Sequence, residues 1–296
     1  MFKIVAKEKL TPVITMLKVE APGIARKVQP GQFVVVRVDE VGERFPISLA
    51  DWDKEEGNIT IVIMEVGTST RKLTCLSEGD YILNLAGPLG LPAHIENFGR
   101  VVCAGGCYGI GAILPIARAL KELGNEVIST IEARSKNLLY WQEPLRQASN
   151  ELIITTGDGS CGYKGWVYDP LKEMLEKGEK IDRVFAHGCN YMMQLCSETT
   201  KHFGVKTMVS LNPIMVDGTG MCGVCRVSVG GITRFACVDG PEFDGHEVDW
   251  ELLAVRRQSY IEEEISSLEW WESQRWCMTR TTCVETKGGA KTKAED

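Results

Sequence analysis

Several things are missing from this 296-residue sequence. Each absence removes a class of function. No basic run is present that could neutralise a nucleic-acid backbone, and the net charge is −7, so nucleic-acid binding is not expected. The N-terminal stretch Met1-Phe2-Lys3-Ile4-Val5-Ala6-Lys7-Glu8 carries charges where a signal peptide needs its apolar core. The longest uncharged stretch, Val101 to Ala117, is broken by Gly105, Gly106, Gly109 and Gly111. It falls short of the ~20 apolar residues of a membrane span. No internal repeat is evident. What remains has ordinary globular composition, 44% hydrophobic and 25% charged, and is long enough for two compact domains plus an appendage. Eleven cysteines without a leader point to a reducing compartment, where thiols serve metals or redox chemistry. A cytoplasmic location is expected.

The chain reads in four parts. Residues 1–98 carry β-branched runs at Ile14–Val19, Gln32–Val38 and Ile59–Val66, separated by turn clusters. This pattern predicts an antiparallel barrel or sandwich. From 99 to 206, short apolar strands (Val101–Ala104, Glu126–Ile131, Leu152–Thr156, Val184–Ala186) alternate with helical segments, which predicts a parallel sheet with crossover helices. Residues 207–247 are rich in Gly and Cys, and 248–296 form a Trp-bearing helical tail with a polar, disordered end. The fold class is mixed: barrel, α/β nucleotide domain, and a small cysteine module.

The cysteine module carries the most specific signal. Asp217, four residues, Cys222, two residues, Cys225, eleven residues and Cys237 reproduce the plant-type [2Fe–2S] spacing, with aspartate in place of the first thiolate. Gly218, Gly220 and Gly223 allow a loop to wrap a cluster and turn its amides inward. Carboxylate is a harder donor than thiolate but can bind iron. The same C-x-x-C pair with a third cysteine could instead hold zinc, or no metal at all. Asp217 could simply bond its own backbone in a turn.

In the second part, Gly105-Gly106-Cys107-Tyr108-Gly109-Ile110-Gly111 follows a strand and opens a helix, a setting that lets amides approach a pyrophosphate. The spacing is not G-x-G-x-x-G, and a plain strand-to-helix turn would also explain it. Glu132, at the end of the next strand, could bond a ribose hydroxyl. Arg134 and Lys136 could meet a 2′-phosphate, so NAD(H) and NADP(H) both stay open. In the barrel, Arg44-Phe45-Pro46-Ile47-Ser48, Met64 and Gly67-Thr68-Ser69-Thr70 place a cation and small hydroxyl residues as an anionic cofactor would need.

Together these stretches resemble the flavoprotein reductase superfamily. Within it they are similar to the electron-transfer subunits of dihydroorotate dehydrogenase and, more closely, to the small subunits of NADH-dependent ferredoxin–NADP+ oxidoreductase. Leu211–Gly223 and Phe235–Phe243 carry the closer likeness, which spans roughly residues 2 to 270. The resemblance implies an oxidoreductase subunit with FAD, a [2Fe–2S] cluster and NAD(H) or NADP(H). It would exchange electrons with a larger flavin and iron–sulfur subunit, and through the complex with ferredoxin. It implies that Arg44 to Ser48 and Gly67 to Thr70 hold FAD, with Ser48 at the isoalloxazine edge as the catalytic residue. It also implies that Gly105, Gly106, Gly109, Asp158, Gly188 and Cys189 serve the nucleotide, and that Asp217, Cys222, Cys225 and Cys237 ligate the cluster. Three departures stand out: Pro46 where tyrosine is common, Cys107 for a usual glycine, and Cys189 where proline is expected. They leave room for a non-catalytic regulatory or assembly subunit; a self-contained reductase feeding an oxygenase is a third reading, against which the Trp-bearing tail argues. Trp250, Trp270, Trp271 and Trp276 suggest that the tail docks on the larger subunit.

Overall fold

The computed structural model describes residues 1–285, with side chains as far as Gln274. The chain opens with β1 (Phe2–Thr11), β2 (Ile14–Glu20), a helical turn α1 (Pro22–Ala25), β3 (Phe33–Arg37), β4 (Arg44–Asp53), β5 (Asn58–Met64), α2 (Thr68–Cys75), β6 (Tyr81–Ile82) and β7 (Asn84–Leu89). The strands form one antiparallel sheet in the order β6-β1-β2-β5-β4-β3-β7. Its two edge strands, β6 and β7, are consecutive in the chain, with only Leu83 between them. The sheet therefore curls back on itself. Ile4, Leu17, Val34, Leu49, Ile61, Ile82 and Leu85, one from every strand, share a single buried core, as the inward faces of a barrel must. Pro46 fits within β4 because that stretch pairs with β3 alone, the β4–β5 ladder starting only at Leu49.

The second unit comprises β8 (Arg100–Gly106), α3 (Gly109–Glu122), β9 (Glu126–Ala133), α4 (Gln142–Gln147), β10 (Glu151–Thr156), β11 (Tyr163–Lys164), α5 (Tyr168–Glu176), β12 (Arg183–His187), α6 (Asn190–Lys201) and β13 (Thr207–Ser210). Its sheet runs β11-β10-β9-β8-β12-β13-β16, parallel up to β13, with β16 (Glu242–Asp244) added antiparallel. The order reverses between β8 and β12. Ligands of open α/β sheets bind outside the strand ends at such a reversal. The sheet also continues past residue 206: β13 and β16 both belong to it, and the cysteine loop is slung between them. That loop carries its own hairpin, β14 (Arg226–Val229) with β15 (Ile232–Phe235). Helices α7 (Trp250–Arg257) and α8 (Ile261–Glu285) follow.

The units share their cores. Ile14, Ala50 and Val62 of the barrel pack with Ile110, Ile113 and Ala117 of α3. Phe33 and Val35 of β3 join Ala104, Ala186, Cys225 and Cys237 in another cluster. Among the described residues, no helix is long and apolar enough to cross a membrane.

Candidate functional site

A cleft of about 390 Å3 opens where barrel, nucleotide sheet, cysteine loop and helical tail meet. The barrel contributes Arg44, Phe45, Pro46, Ile47, Ser48, Met64 and Thr70 to its lining, seven of the residues expected to hold FAD. Ser48 sits opposite Phe33 in the β3–β4 ladder, and Phe33 lines the cleft too. The far wall comprises Tyr108 and Ala112 of the nucleotide domain, Ser210–Met215 and Pro241 beside the cysteine loop, and Arg257 and Glu264 of the tail. Sequence reasoning assigned none of these far-wall residues to the flavin site. Their positions in the chain are too distant from the flavin motif for any local pattern to join them.

Beside the cleft, Gly67 precedes α2 in extended backbone. The Thr70 hydroxyl accepts hydrogen bonds from the amides of Val66 and Gly67, both at 3.1 Å. Thr70 thus shapes the start of α2, whose first-turn amides have no acceptor within the helix. The hydroxyls of Thr68 and Ser69 contact Ser267 and Glu43.

The glycine loop lies at the sheet's reversal point. Gly105 pairs with His187 across β8 and β12. A Cβ on Gly109 would lie 2.0 Å from the His187 carbonyl oxygen, so only glycine lets α3 start against β12. Cys107 adopts a φ of +52°, the left-handed region where glycine is at no disadvantage; this explains why glycine is usual there. Burial pushes its thiol up to about 11, so it stays protonated at neutral pH and is no ready nucleophile. The Tyr140 hydroxyl ties this loop down, accepting from the Gly111 amide and donating to the Cys107 carbonyl, both at 3.0 Å. The Gly188 carbonyl accepts from the Tyr108 hydroxyl at 3.0 Å and the Asn212 amide at 2.8 Å. The nucleotide loop and the cleft are therefore one connected structure. Cys189 is exposed at the start of α6. Arg134 is exposed as well, and its carbonyl accepts from the amide of Asp158 at 3.0 Å. Both residues lie along the rim beyond β9 and β10.

Glu132 departs from expectation. It is only 6% exposed, its Oε2 accepts from the Val167 amide at 2.9 Å, and a Cβ on Gly106 would lie 2.9 Å from its Oε1. It props the loop from beneath instead of standing on the rim where a ribose would lie. Burial raises its pKa to about 7, with Asp169 adding to the effect and the Val167 bond opposing it. The folded chain thus keeps this proton up to about pH 7, whereas an unfolded chain releases it near 4.5. In that window the native state binds more protons and loses stability as pH rises. Glu132→Gln should abolish this slope: its stability advantage over the parent should widen by ~3 kcal/mol between the two ends of the window. Urea unfolding as a function of pH measures it. Parallel curves for parent and variant would refute the assignment.

In the cysteine loop, Asp217 accepts from the Thr219 hydroxyl at 2.7 Å and from the amides of Thr219 and Met221 at 3.1 Å. These bonds hold its carboxyl below the ordinary range. Cys225 and Cys237 are buried in one core. Burial, with Cys225 adding to the effect, pushes the Cys237 thiol up to about 12. Cys222 is exposed. Among the described residues the four do not close into one metal-binding group, Asp217 being turned to its own loop. The donor set still suits an iron–sulfur cluster: three thiols and an anionic carboxylate on one loop, with amides directed at the donor atoms. Gly218, Gly220 and Gly223 all have positive φ. A Cβ on Gly218 would press Leu89 and Val35 at 2.8 and 2.9 Å, so the loop is seated tightly on the barrel.

Comparison with known proteins agrees with this layout. Residues 212–249 match the iron–sulfur cluster binding domain of dihydroorotate dehydrogenase B. A Thermotoga maritima protein described as a dihydroorotate dehydrogenase B (NAD+) electron transfer subunit homolog is 45% identical over 267 residues, covering 90% of this chain and 94% of the relative. A chain from the structure of an NADH-dependent reduced ferredoxin–NADP oxidoreductase, described for flavin-based electron bifurcation, is 45% identical with a TM-score of 0.86. It covers 91% of this chain and 97% of its own. Phthalate dioxygenase reductase shares the fold alone, at 17% identity, a TM-score of 0.56, and coverage of 77% and 85%.

Proposed function

Since the chain belongs to the family of dihydroorotate dehydrogenase B electron-transfer subunits, we propose that it moves electrons between NAD(P)(H), FAD and a [2Fe–2S] cluster, as one subunit of a heteromeric oxidoreductase. The larger partner carries further flavin and iron–sulfur groups and connects to ferredoxin. We assign residues 1–98 to the FAD barrel, 99–206 to the nucleotide domain, 207–247 to the cluster module, whose strands β13 and β16 extend the nucleotide sheet, and 248–296 to the tail. A cytoplasmic location follows from the chemistry of free thiols.

One observation carries the reading. The cleft holding the flavin-motif residues is walled on one side by the nucleotide loop through Tyr108, and is floored by Phe33, which shares a buried core with Cys225 and Cys237. Three sites meet at one junction. When bound, FAD supplies the conversion between two-electron hydride chemistry and the one-electron steps an iron–sulfur cluster accepts. The chain itself positions and tunes. Ser48 offers its hydroxyl to the isoalloxazine edge, and Arg44 with Gly67, Thr68, Ser69 and Thr70 holds the diphosphate. Phe45, Pro46, Ile47 and Met64 exclude water from the ring. Gly105, Gly106, Gly109, Gly188 and Cys189 seat the nicotinamide nucleotide beside it, with Glu132 bracing that loop from below and Arg134 and Asp158 toward the adenosine end. Asp217, Cys222, Cys225 and Cys237 ligate the cluster.

The test is anaerobic. NADH or NADPH added to the purified flavin-loaded chain should bleach the flavin absorbance within seconds, followed by bleaching of the cluster's visible bands. Flavin colour that persists under both nucleotides would leave a chain without turnover, and the enzymatic reading would fall.

A further inference from the structure

A second cavity, of about 170 Å3, lies between the cysteine loop and the tail and shares Pro213, Ile214 and Arg257 with the cleft. Three arginines line it, Arg226 from β14 and Arg256 and Arg257 from the last turn of α7, and its wall contains no carboxylate. The negative end of α7 accounts for two cations in its last turn, but not for a third brought there by β14. In a chain of net charge −7, three like charges around one cavity repel each other with no counter-charge in the wall. Two of the arginines are also held in place. Arg226 Nη1 donates to the Gly223 carbonyl at 3.0 Å, and Arg256 Nη2 to the Val224 carbonyl at 3.1 Å. Each guanidinium has five N–H donors, so these bonds orient the groups and leave donors for a ligand. The volume is below the ~300 Å3 that encloses a whole organic ligand; it suits one oxyanion.

We propose that this cavity binds a phosphate group, gripped by Arg226, Arg256 and Arg257. The phosphates of FAD and of the nicotinamide nucleotide have their places at α2 and at the glycine loop, so this is a separate anion. It comes either as free inorganic phosphate or as the phosphate of a small phosphomonoester whose remainder lies outside the cavity. The site goes beyond the electron-transfer reading and does not depend on it. Gly223 and Val224 are the two residues between Cys222 and Cys225, so the anion sits against the cysteine loop.

Calorimetry tests this. Inorganic phosphate is titrated into the full-length chain at constant ionic strength with chloride as the competing anion, first without flavin and then saturated with FAD. Saturable binding of about one phosphate per chain is expected in both states. Arg226→Gln and Arg256→Gln should each weaken it about tenfold, because guanidinium–phosphate hydrogen bonds are charge-assisted. Both variants also release a loop carbonyl. Arg257→Gln is therefore the third variant: its side chain holds neither of those carbonyls, and the same tenfold loss is expected with the melting temperature kept within about 2 °C. Glycerol phosphate titrated in parallel separates the two sources: tighter binding than inorganic phosphate marks an organic phosphate, and weaker binding marks the free ion. No saturable binding in the parent, or equal binding in all three variants, would overturn the site. So would phosphate binding that FAD abolishes, since the cavity would then belong to the cofactor. A chain that binds phosphate but no flavin would leave this site standing and remove the flavin reading.

Discussion

Gly109→Ala is expected to destabilise the chain by about 3 kcal/mol or more, lowering its melting temperature by about 5–10 °C. The added methyl group would sit 2.0 Å from the His187 carbonyl oxygen and 2.4 Å from its carbon. These are backbone atoms of β12, held in register with β8, and cannot rotate away as a side-chain end could. The first turn of α3 must therefore lift off the sheet. Because α3 also packs on the barrel through Gly111 against Val62, lifting it opens the wall of the cleft, and nucleotide affinity should fall along with stability. Gly23→Ala is the matched control: nothing lies within 4 Å of its Cβ, and its melting temperature should stay within about 2 °C of the parent. Gly109→Ala melting within that same margin would mean that the start of α3 can yield to a methyl group without leaving the sheet.

The second large effect concerns iron. Cys225→Ser and Cys237→Ser should each reduce bound iron from about two per chain to nearly none, with loss of the visible absorbance of the cluster. Both side chains are buried in the core shared with Phe33 and Val35, so serine replaces a ligand without opening the surface. Asp217 is the more instructive position. Its carboxylate presently organises the loop through Thr219 and Met221, so Asp217→Ala removes a turn anchor and a ligand together. Asp217→Cys separates the two roles, restoring an anionic donor but not the turn bonds. Iron near two per chain in Asp217→Cys with a clear loss in Asp217→Ala is the expected pair of results. Full iron content in Asp217→Ala would leave the aspartate its turn role alone.

How much of this is legible in the sequence depends on how local each signal is. The runs at Ile14, Gln32 and Ile59 form β2, β3 and β5 with ends moved by one or two residues, because β-branched side chains suit a half-buried pleated surface. Strand β1, Phe-Lys-Ile-Val-Ala-Lys-Glu-Lys-Leu-Thr, is not legible as a strand. It exposes its Lys and Glu residues while Ile4 faces the core, and the charges mask the alternation. Nor is β4, where Pro46 argues against a strand until its partial pairing is known. The three-residue β16 depends wholly on a distant partner, β13.

The site divides the same way. Arg44–Ser48, the Gly67–Thr70 turn and the Asp217–Cys237 spacing are short-range patterns, and the first two fall in or beside one cleft. Tyr108, Asn212 and Arg257 reach that cleft only through the tertiary fold. Glu132 shows the limit from the other direction: sequence places it at a strand end, but not on which side of the glycine loop its carboxylate lies. The sequence predicts a helical tail over Val248–Arg275 and a disordered polar end after it; helix α8 instead runs on to Glu285, and residues 286–296 lie outside the described residues. The docking role expected of Trp276 lies outside the described side chains.

The way the cysteine loop is mounted has a further consequence. It leaves the nucleotide sheet at β13 and returns at β16, adjacent strands of one ladder, with the Leu211 amide bonded to the Pro241 carbonyl at 3.0 Å where the two crossings meet. A redox centre on a single linker can swing between donor and acceptor; one moored at both ends to the same rigid edge cannot travel. Electron delivery in this chain is therefore fixed wiring, and its timing must be set by what arrives: a nucleotide at one face, a partner at the other.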